Sequence, residues 1–201
     1  MAIKAVIWDL GGVLVRTEDR APRRRLAERY GMTSRELERL VFQGEMGDAA
    51  QLGAVTAEQL WGYVADQIGA PRSETKALEA GFWGGDRLDE DLIETIRGLR
   101  TDYTVGLLSN AWDSLRDALE TRFGIEDVFD PVVISAEVGL MKPDPKIYRL
   151  ALDEAGAAPE EAVFLDDFPE NVAGARAVGM HAVHFDSKER ALAELIELLK
   201  Y

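Results

Sequence analysis

Short apolar runs and amphipathic stretches succeed one another along most of the chain. Ile3-Lys4-Ala5-Val6-Ile7-Trp8 is β-prone, largely apolar and short, which predicts a buried strand. From about residue 20 to 83 only helical patterning follows. Thr33-Ser34-Arg35-Glu36 has the form of a capping box opening a helix through Phe42. Thr56-Ala57-Glu58-Gln59 is a second such box, ahead of Leu60 to Ile68. Pro71 and Ser73 start a third helix running to about Phe82, and Gly84-Gly85 breaks the pattern. Beyond Asp89 helices and strands alternate. A helix at about 90–99 leads to a strand at Thr104 to Leu108, and one at about 113–123 leads to Val132 to Ile134. A helix from about Pro145 to Ala155 leads to Ala162 to Leu165, and one at about 170–178 leads to Ala182 to Phe185. An amphipathic helix at about 188–199 follows.

Strands alternating with helices predict an α/β fold: a parallel-sheet, Rossmann-like core in three layers, α/β/α, with an all-helical insertion. The core takes residues 1–17 and 86–201, and the helical insertion takes 18–85. Ligands of such sheets bind at the carboxyl ends of the strands. After the first strand come Asp9, Leu10, Gly11 and Gly12; after the second, Ser109, Asn110, Ala111 and Trp112. After the third comes the segment Ser135 to Lys142-Pro143, and after the fourth come Asp166, Asp167 and Phe168. Acids, a hydroxyl, an amide and a lysine on one edge suit an oxyanion together with a divalent cation.

Composition narrows this picture. The 201 residues are 47% hydrophobic and 30% charged, as in ordinary globular proteins. A formal net charge of −14 argues against nucleic acid or an anionic membrane as partner. There is no cysteine, which excludes disulfides and thiol nucleophiles and is compatible with a cytoplasmic location. No run is long and apolar enough to suggest a bilayer span, and the first residues are too short an apolar stretch for a signal segment. With only His181 and His184, both placed on the last strand and away from the motif ends, a multi-histidine metal site is not expected.

The four stations, WDLGGVL, LLSN, the lysine of GLMKPDP and VFLDDFPENVAGARAVGM, resemble in order the motifs of the haloacid dehalogenase superfamily. The helical insertion resembles that family's cap, placed just after the first motif. The resemblance implies a Mg2+-dependent phosphatase of small phosphorylated metabolites, with Asp9 as nucleophile forming an aspartyl-phosphate. It implies Ser109, Asn110, Gly11, Gly12 and Lys142 as phosphate-binding residues, Lys142 also clamping Asp9. Asp9, the Gly11 carbonyl, Asp166 and Asp167 would hold the ion, with Asp167 as direct ligand and Asp166 behind it or acting through water. Each motif also has an ordinary reading: Asp at a strand end forms turns, Ser, Asn and an acid pair cap helices, and a lysine is usually solvated.

The family's phosphatases carry a second aspartate two residues after the nucleophile, which protonates the leaving alcohol. Here Gly11 stands there. General acid–base help is worth about 10²–10⁴-fold, so a phosphatase built this way favours leaving groups that need little protonation, such as those of sugar-1-phosphates. Two alternatives stay open: a haloacid dehalogenase-type hydrolase, whose halide needs no proton, and a non-catalytic binding or regulatory member. Of the remaining residues, Asn171 reads as ordering the loop after the acid pair. Trp112, Phe82 and Trp83 read either as packing or as cleft residues, and Trp61 as packing. Glu45 and Met46, between Gly44 and Gly47, read as a cap loop aimed at substrate, and Arg23-Arg24-Arg25 as a solvated helix face.

Overall fold

The computed structural model describes residues 2–200. Its strands are β1 (Ala5–Trp8), β2 (Val15–Thr17), β3 (Asp86–Leu88), β4 (Thr104–Ser109), β5 (Val132–Ile134), β6 (Ala162–Asp166) and β7 (His181–His184). The main sheet has the order β5-β4-β1-β6-β7, and every pairing in it is parallel. Trp8 at the end of β1 is level with Leu107 of β4 and Leu165 of β6. The backbone N–H of Asp9 donates to the Leu165 carbonyl at 2.9 Å, so Asp9 emerges beside Asp166.

The helices α1 (Ala21–Arg29), α2 (Ser34–Phe42), α3 (Glu45–Gln51), α4 (Ala57–Ile68) and α5 (Thr75–Trp83) lie between β2 and β3. Both sequence-derived capping boxes form. The Thr33 hydroxyl accepts the Glu36 N–H while Glu36 accepts the Thr33 N–H, and Thr56 and Gln59 do the same. The helices that follow are α6 (Glu90–Leu99), α7 (Leu115–Ala118), α8 (Ser135–Val138), α9 (Pro145–Ala155), α10 (Pro169–Ala177) and α11 (Lys188–Leu199).

The period-two alternation of β1 divides the core. Val6 and Trp8 point to one face, packed with Leu92 and Ile96 of α6 and Leu195 of α11. Ala5 and Ile7 point to the other, packed with Ile147 and Leu152 of α9 and Val172 of α10. The result is the three-layer α/β/α arrangement expected from the alternation. Among the described residues, no helix is long and apolar enough to cross a membrane.

Several local readings change. β2 and β3 form an antiparallel ribbon, pairing Val15 with Leu88 and Thr17 with Asp86, at the point where the helical segment leaves and rejoins the sheet. Three residues per strand are too few to show a period. Glu45 and Met46 open helix α3, because Gly44 at φ 82° lets the chain turn directly from α2 into a new helix. Arg23 is buried, its guanidinium bonded to the Phe82 carbonyl, Glu38 and Asp86 and lying 4.1 Å from the Phe82 ring centroid. The helix expected at 113–123 is a short α-helical turn followed by wider, π-type turns at Leu119–Phe123.

Candidate active site

Lys142 organises the carboxyl edge of the sheet. It is 2% exposed, and its Nζ lies 2.7 Å from Asp9 Oδ1, 2.7 Å from Asp166 Oδ2 and 3.0 Å from the Leu108 carbonyl. Those partners take all the N–H donors an ammonium has. The segment carrying Lys142 is fixed by Asn110, whose side-chain amide pairs with both sides of the Lys142 backbone. Asn110 Nδ2 donates to the Lys142 carbonyl at 2.9 Å, and the Lys142 N–H donates to Asn110 Oδ1 at 2.8 Å. The second and third motifs therefore meet twice, through the Asn110 side chain on the Lys142 backbone and through the Leu108 carbonyl on the Lys142 ammonium.

The two adjacent acids are treated very differently. Asp166, at the end of β6, is fully buried. Besides Lys142 it accepts the Phe168 N–H at 2.8 Å and Asn171 Nδ2 at 3.1 and 3.0 Å on its two oxygens. Asn171 is itself held by Tyr148, whose hydroxyl donates to the Asn171 carbonyl at 2.9 Å. Asp167 lacks such a cage, and its Oδ1 is buried without a hydrogen-bond partner. Oxygens of Asp9, Asp166 and Asp167 all lie within 4.8 Å of one another. Three acids around one lysine leave net negative charge at a largely buried site. Burial, reinforced by the charge of Asp166 and opposed by Lys142, pushes the Asp9 carboxyl up to about 7. Burial and then Asp166 push Asp167 up to about 6. An unpartnered buried carboxylate oxygen beside two further acids fits a divalent cation with oxygen ligands.

The glycines of the first motif divide their work. Gly12 has φ 75°, and a Cβ there would lie 2.1 Å from Asp167 Oδ2, so only glycine leaves space for that carboxylate. Its own N–H donates to the Val15 carbonyl at 2.9 Å, which removes it as a donor to an oxyanion. That departs from the phosphate-binding role expected of Gly12, because the loop must close on itself to enter β2. Gly11 is exposed, and a Cβ there would meet nothing within 4 Å. Ser109 ends β4 and is buried beside Asn110. The Asn110 side-chain amide, expected to bind a phosphoryl group, is bonded to the Lys142 backbone through its oxygen and one N–H.

His184 and the aromatic residues complete the surroundings. His184 ends β7 in register with Asp166, and its Nε2 lies 3.0 Å from the Asp167 carbonyl oxygen. Since a carbonyl only accepts, the ring nitrogen donates. The sequence places both histidines on the last strand and away from the motif ends, whereas the structure brings His184 beside Asp167. The signal available was the parallel sheet itself, whose carboxyl ends converge. Trp112 is buried against the helical insertion, with ring centroids 5.6 Å from Trp83 and 6.1 Å from both Phe42 and Trp61. Phe82 is fully buried within the same cluster, whereas Trp83 is partly exposed. His181, at the start of β7, lies at the opposite end of that strand.

A parallel α/β sheet that gathers a buried lysine and three carboxylates at its carboxyl edge defines a class of hydrolase-type sites. A haloacid dehalogenase-like hydrolase model matches residues 3–179, and the chain belongs to that family. It is 29% identical over 97% of its length to bifunctional epoxide hydrolase 2 of Mus musculus, of which the match spans only 38%. It is 27% identical to the sesquiterpene phosphatase astK of Aspergillus oryzae, over 98% of this chain and 96% of that one. Among solved structures, a magnesium complex of the HAD family enzyme bt-2542 from Bacteroides thetaiotaomicron superposes with TM-score 0.76 and 25% identity. That superposition covers 92% of this chain and 93% of the other.

Proposed function

We propose that the chain is a Mg2+-dependent phosphatase of small phosphorylated metabolites, working through an aspartyl-phosphate on Asp9. The observation that carries this reading is the unequal state of the acid pair: Asp166 is saturated within the protein, while Asp167 offers a buried oxygen with no partner. Asp9, the Gly11 carbonyl and Asp167 are the proposed ligands, and Asp166 acts behind them by holding Lys142. The magnesium complex of the bt-2542 enzyme and the phosphatase name of the Aspergillus relative support the same reading. When bound, Mg2+ supplies positive charge that offsets the carboxylates and the phosphate oxygens together.

A carboxylate oxygen of Asp9 attacks phosphorus, and the bond from phosphorus to the leaving oxygen breaks with its electron pair going to that oxygen. Lys142 aims Asp9 and balances its charge rather than gripping the phosphate, since its donors are already taken. The Ser109 hydroxyl and the backbone of Asn110 hold phosphoryl oxygens. Water then attacks phosphorus, breaking the bond to Asp9, and inorganic phosphate leaves with the carboxylate regenerated. Gly11 offers no proton at the position where an acid would serve the leaving group. Substrates are accordingly those whose leaving oxygen departs with little help, sugar-1-phosphates among them. Residues 18–85 act as the cap that selects the leaving group.

The test is release of phosphate from p-nitrophenyl phosphate and a panel of sugar phosphates, with Mg2+ and with EDTA, beside chloride release from a 2-haloacid. The expected result is Mg2+-dependent phosphate release that Asp9→Asn abolishes. Chloride release insensitive to EDTA, with no phosphate turnover, sinks the reading in favour of a dehalogenase. Retained Mg2+ binding with no turnover across the panel sinks it in favour of a binding protein.

A further inference from the structure

We infer that His184 is a positioning residue for the Mg2+ site, fixing the peptide of Asp167 so that its carboxylate keeps its aim; this rests on the proposed role of Asp167 as a Mg2+ ligand.

The argument begins with how the two acids are held. Asp166 is oriented through its own carboxylate, by Lys142, by Asn171 and by the Phe168 N–H. A carboxylate caged in that way keeps its direction without help from the peptides around it. Asp167 Oδ1 has no partner, so the direction of this side chain is set by its backbone and by steric contact. The contact comes from Gly12, over whose Cα the Asp167 carboxylate lies. The backbone is gripped by His184, through its Nε2 and the Asp167 carbonyl oxygen at 3.0 Å. His184 is well placed to do this because β6 and β7 are paired in register at that level. Asp166 lies opposite His184, and the Phe185 N–H donates to the Asp166 carbonyl at 2.9 Å. The imidazole therefore projects from a rigid strand end toward a turn that must leave one carboxylate oxygen free. Partners behind a metal ligand are worth about 10–100-fold in metal affinity when removed.

His184 is solvent-exposed at the end of β7, so its replacement opens no cavity in the core, and metal-free melting temperatures check that the fold is kept. The experiment is calorimetric titration of Mg2+ alone into EDTA-treated, then dialysed, full-length protein: wild type, His184→Ala, His184→Gln and Asp167→Asn. A glutamine amide nitrogen can take the place of the imidazole Nε2 donor. The expected result is a roughly tenfold weaker Mg2+ affinity in His184→Ala, restored toward wild type in His184→Gln, with metal-free melting temperatures unchanged. Saturating Mg2+ then returns His184→Ala to wild-type KM for p-nitrophenyl phosphate. Wild-type Mg2+ affinity in His184→Ala overturns the inference, as does equal weakening in His184→Ala and His184→Gln. Failure of the wild type to bind Mg2+, or full binding by Asp167→Asn, overturns instead the reading of Asp167 on which the inference rests.

Discussion

Two neighbouring glycines illustrate how much a single residue can carry. Gly11 is exposed with free space where a side chain would begin, so the chain around it can accept an acid. Gly11→Asp is expected to raise kcat/KM on alkyl phosphates more than on p-nitrophenyl phosphate. The gain should reach about 10²-fold if the new carboxyl protonates the leaving oxygen. Measuring both substrates with each variant decides it, and equal effects on the two would show that no proton reaches the leaving group. Gly12 behaves in the opposite way. Gly12→Ala combines a positive φ of 75° with a Cβ 2.1 Å from Asp167 Oδ2. The backbone strain alone costs about 1–2 kcal/mol, and the carboxylate must move. The expected outcome is a lower metal-free melting temperature together with weaker Mg2+ binding by calorimetry. Lys142 stands beyond α8 and was marked by its motif alone, whereas the placement of Asp9, Ser109 and Asp166 at one sheet edge could be read from the sequence because each closes or directly follows an apolar run, where a parallel sheet delivers its ligands. The separate duties of Gly12 and Asn110 could not, because each depends on a contact with a distant segment.

At the scale of elements, the helical segment meets the sheet along an aromatic seam immediately after the second motif. Trp112 is buried against Trp61, Trp83 and Phe42, and the neighbouring Asp113 accepts the N–H of Ala57, the first residue of α4, at 2.9 Å. Gly53, just beyond α3, lies so close to the core that a Cβ there would come within 2.0 Å of the Ala136 carbonyl oxygen. The helical insertion is thus tied to the stretch of chain just after Ser109 and Asn110 and, at Gly53, to α8. Truncating a buried tryptophan removes both transfer energy and packing. Trp112→Ala is expected to destabilise the protein by about 3–5 kcal/mol, read from the shift of the urea unfolding midpoint. A midpoint within error of wild type would falsify the seam as a source of stability. The capping boxes and the strand–helix rhythm were visible in the sequence because they are local patterns. The ribbon of β2 and β3 and the partners of Trp112 were not, since the first is shorter than any period and the second joins segments far apart in the chain.

Across the whole molecule 37 acids outnumber 23 lysines and arginines, and some of those cations tie distant segments together. Asp89 shows how. It stands between β3 and α6, receives Arg16 from β2 at 2.5 Å and Lys188 from the first turn of α11 at 2.8 Å, and caps α6 through the Leu92 N–H at 3.0 Å. One carboxylate thereby joins the ribbon that carries the helical insertion to an early and a late helix of the core. Burial opposes its ionisation, but Lys188, the Leu92 N–H and Arg16 together outweigh it and hold the carboxyl below its usual range. A carboxylate whose folded value is depressed stabilises the fold above its unfolded value, near 3.8, and loses that contribution as pH falls through the folded value. Asp89→Asn keeps an oxygen for the Leu92 N–H, but it removes the charge and turns the oxygen that accepts Arg16 into an NH2 donor. At neutral pH and low salt the substitution is expected to cost about 1 kcal/mol. The cost should shrink as pH falls below 4 and also as salt screens the pairs. Urea unfolding of both proteins at neutral and at acid pH measures the difference. A cost independent of pH would place the contribution of Asp89 in helix capping and packing, and a cost of zero at neutral pH would leave the junction held by the ribbon and the aromatic seam alone.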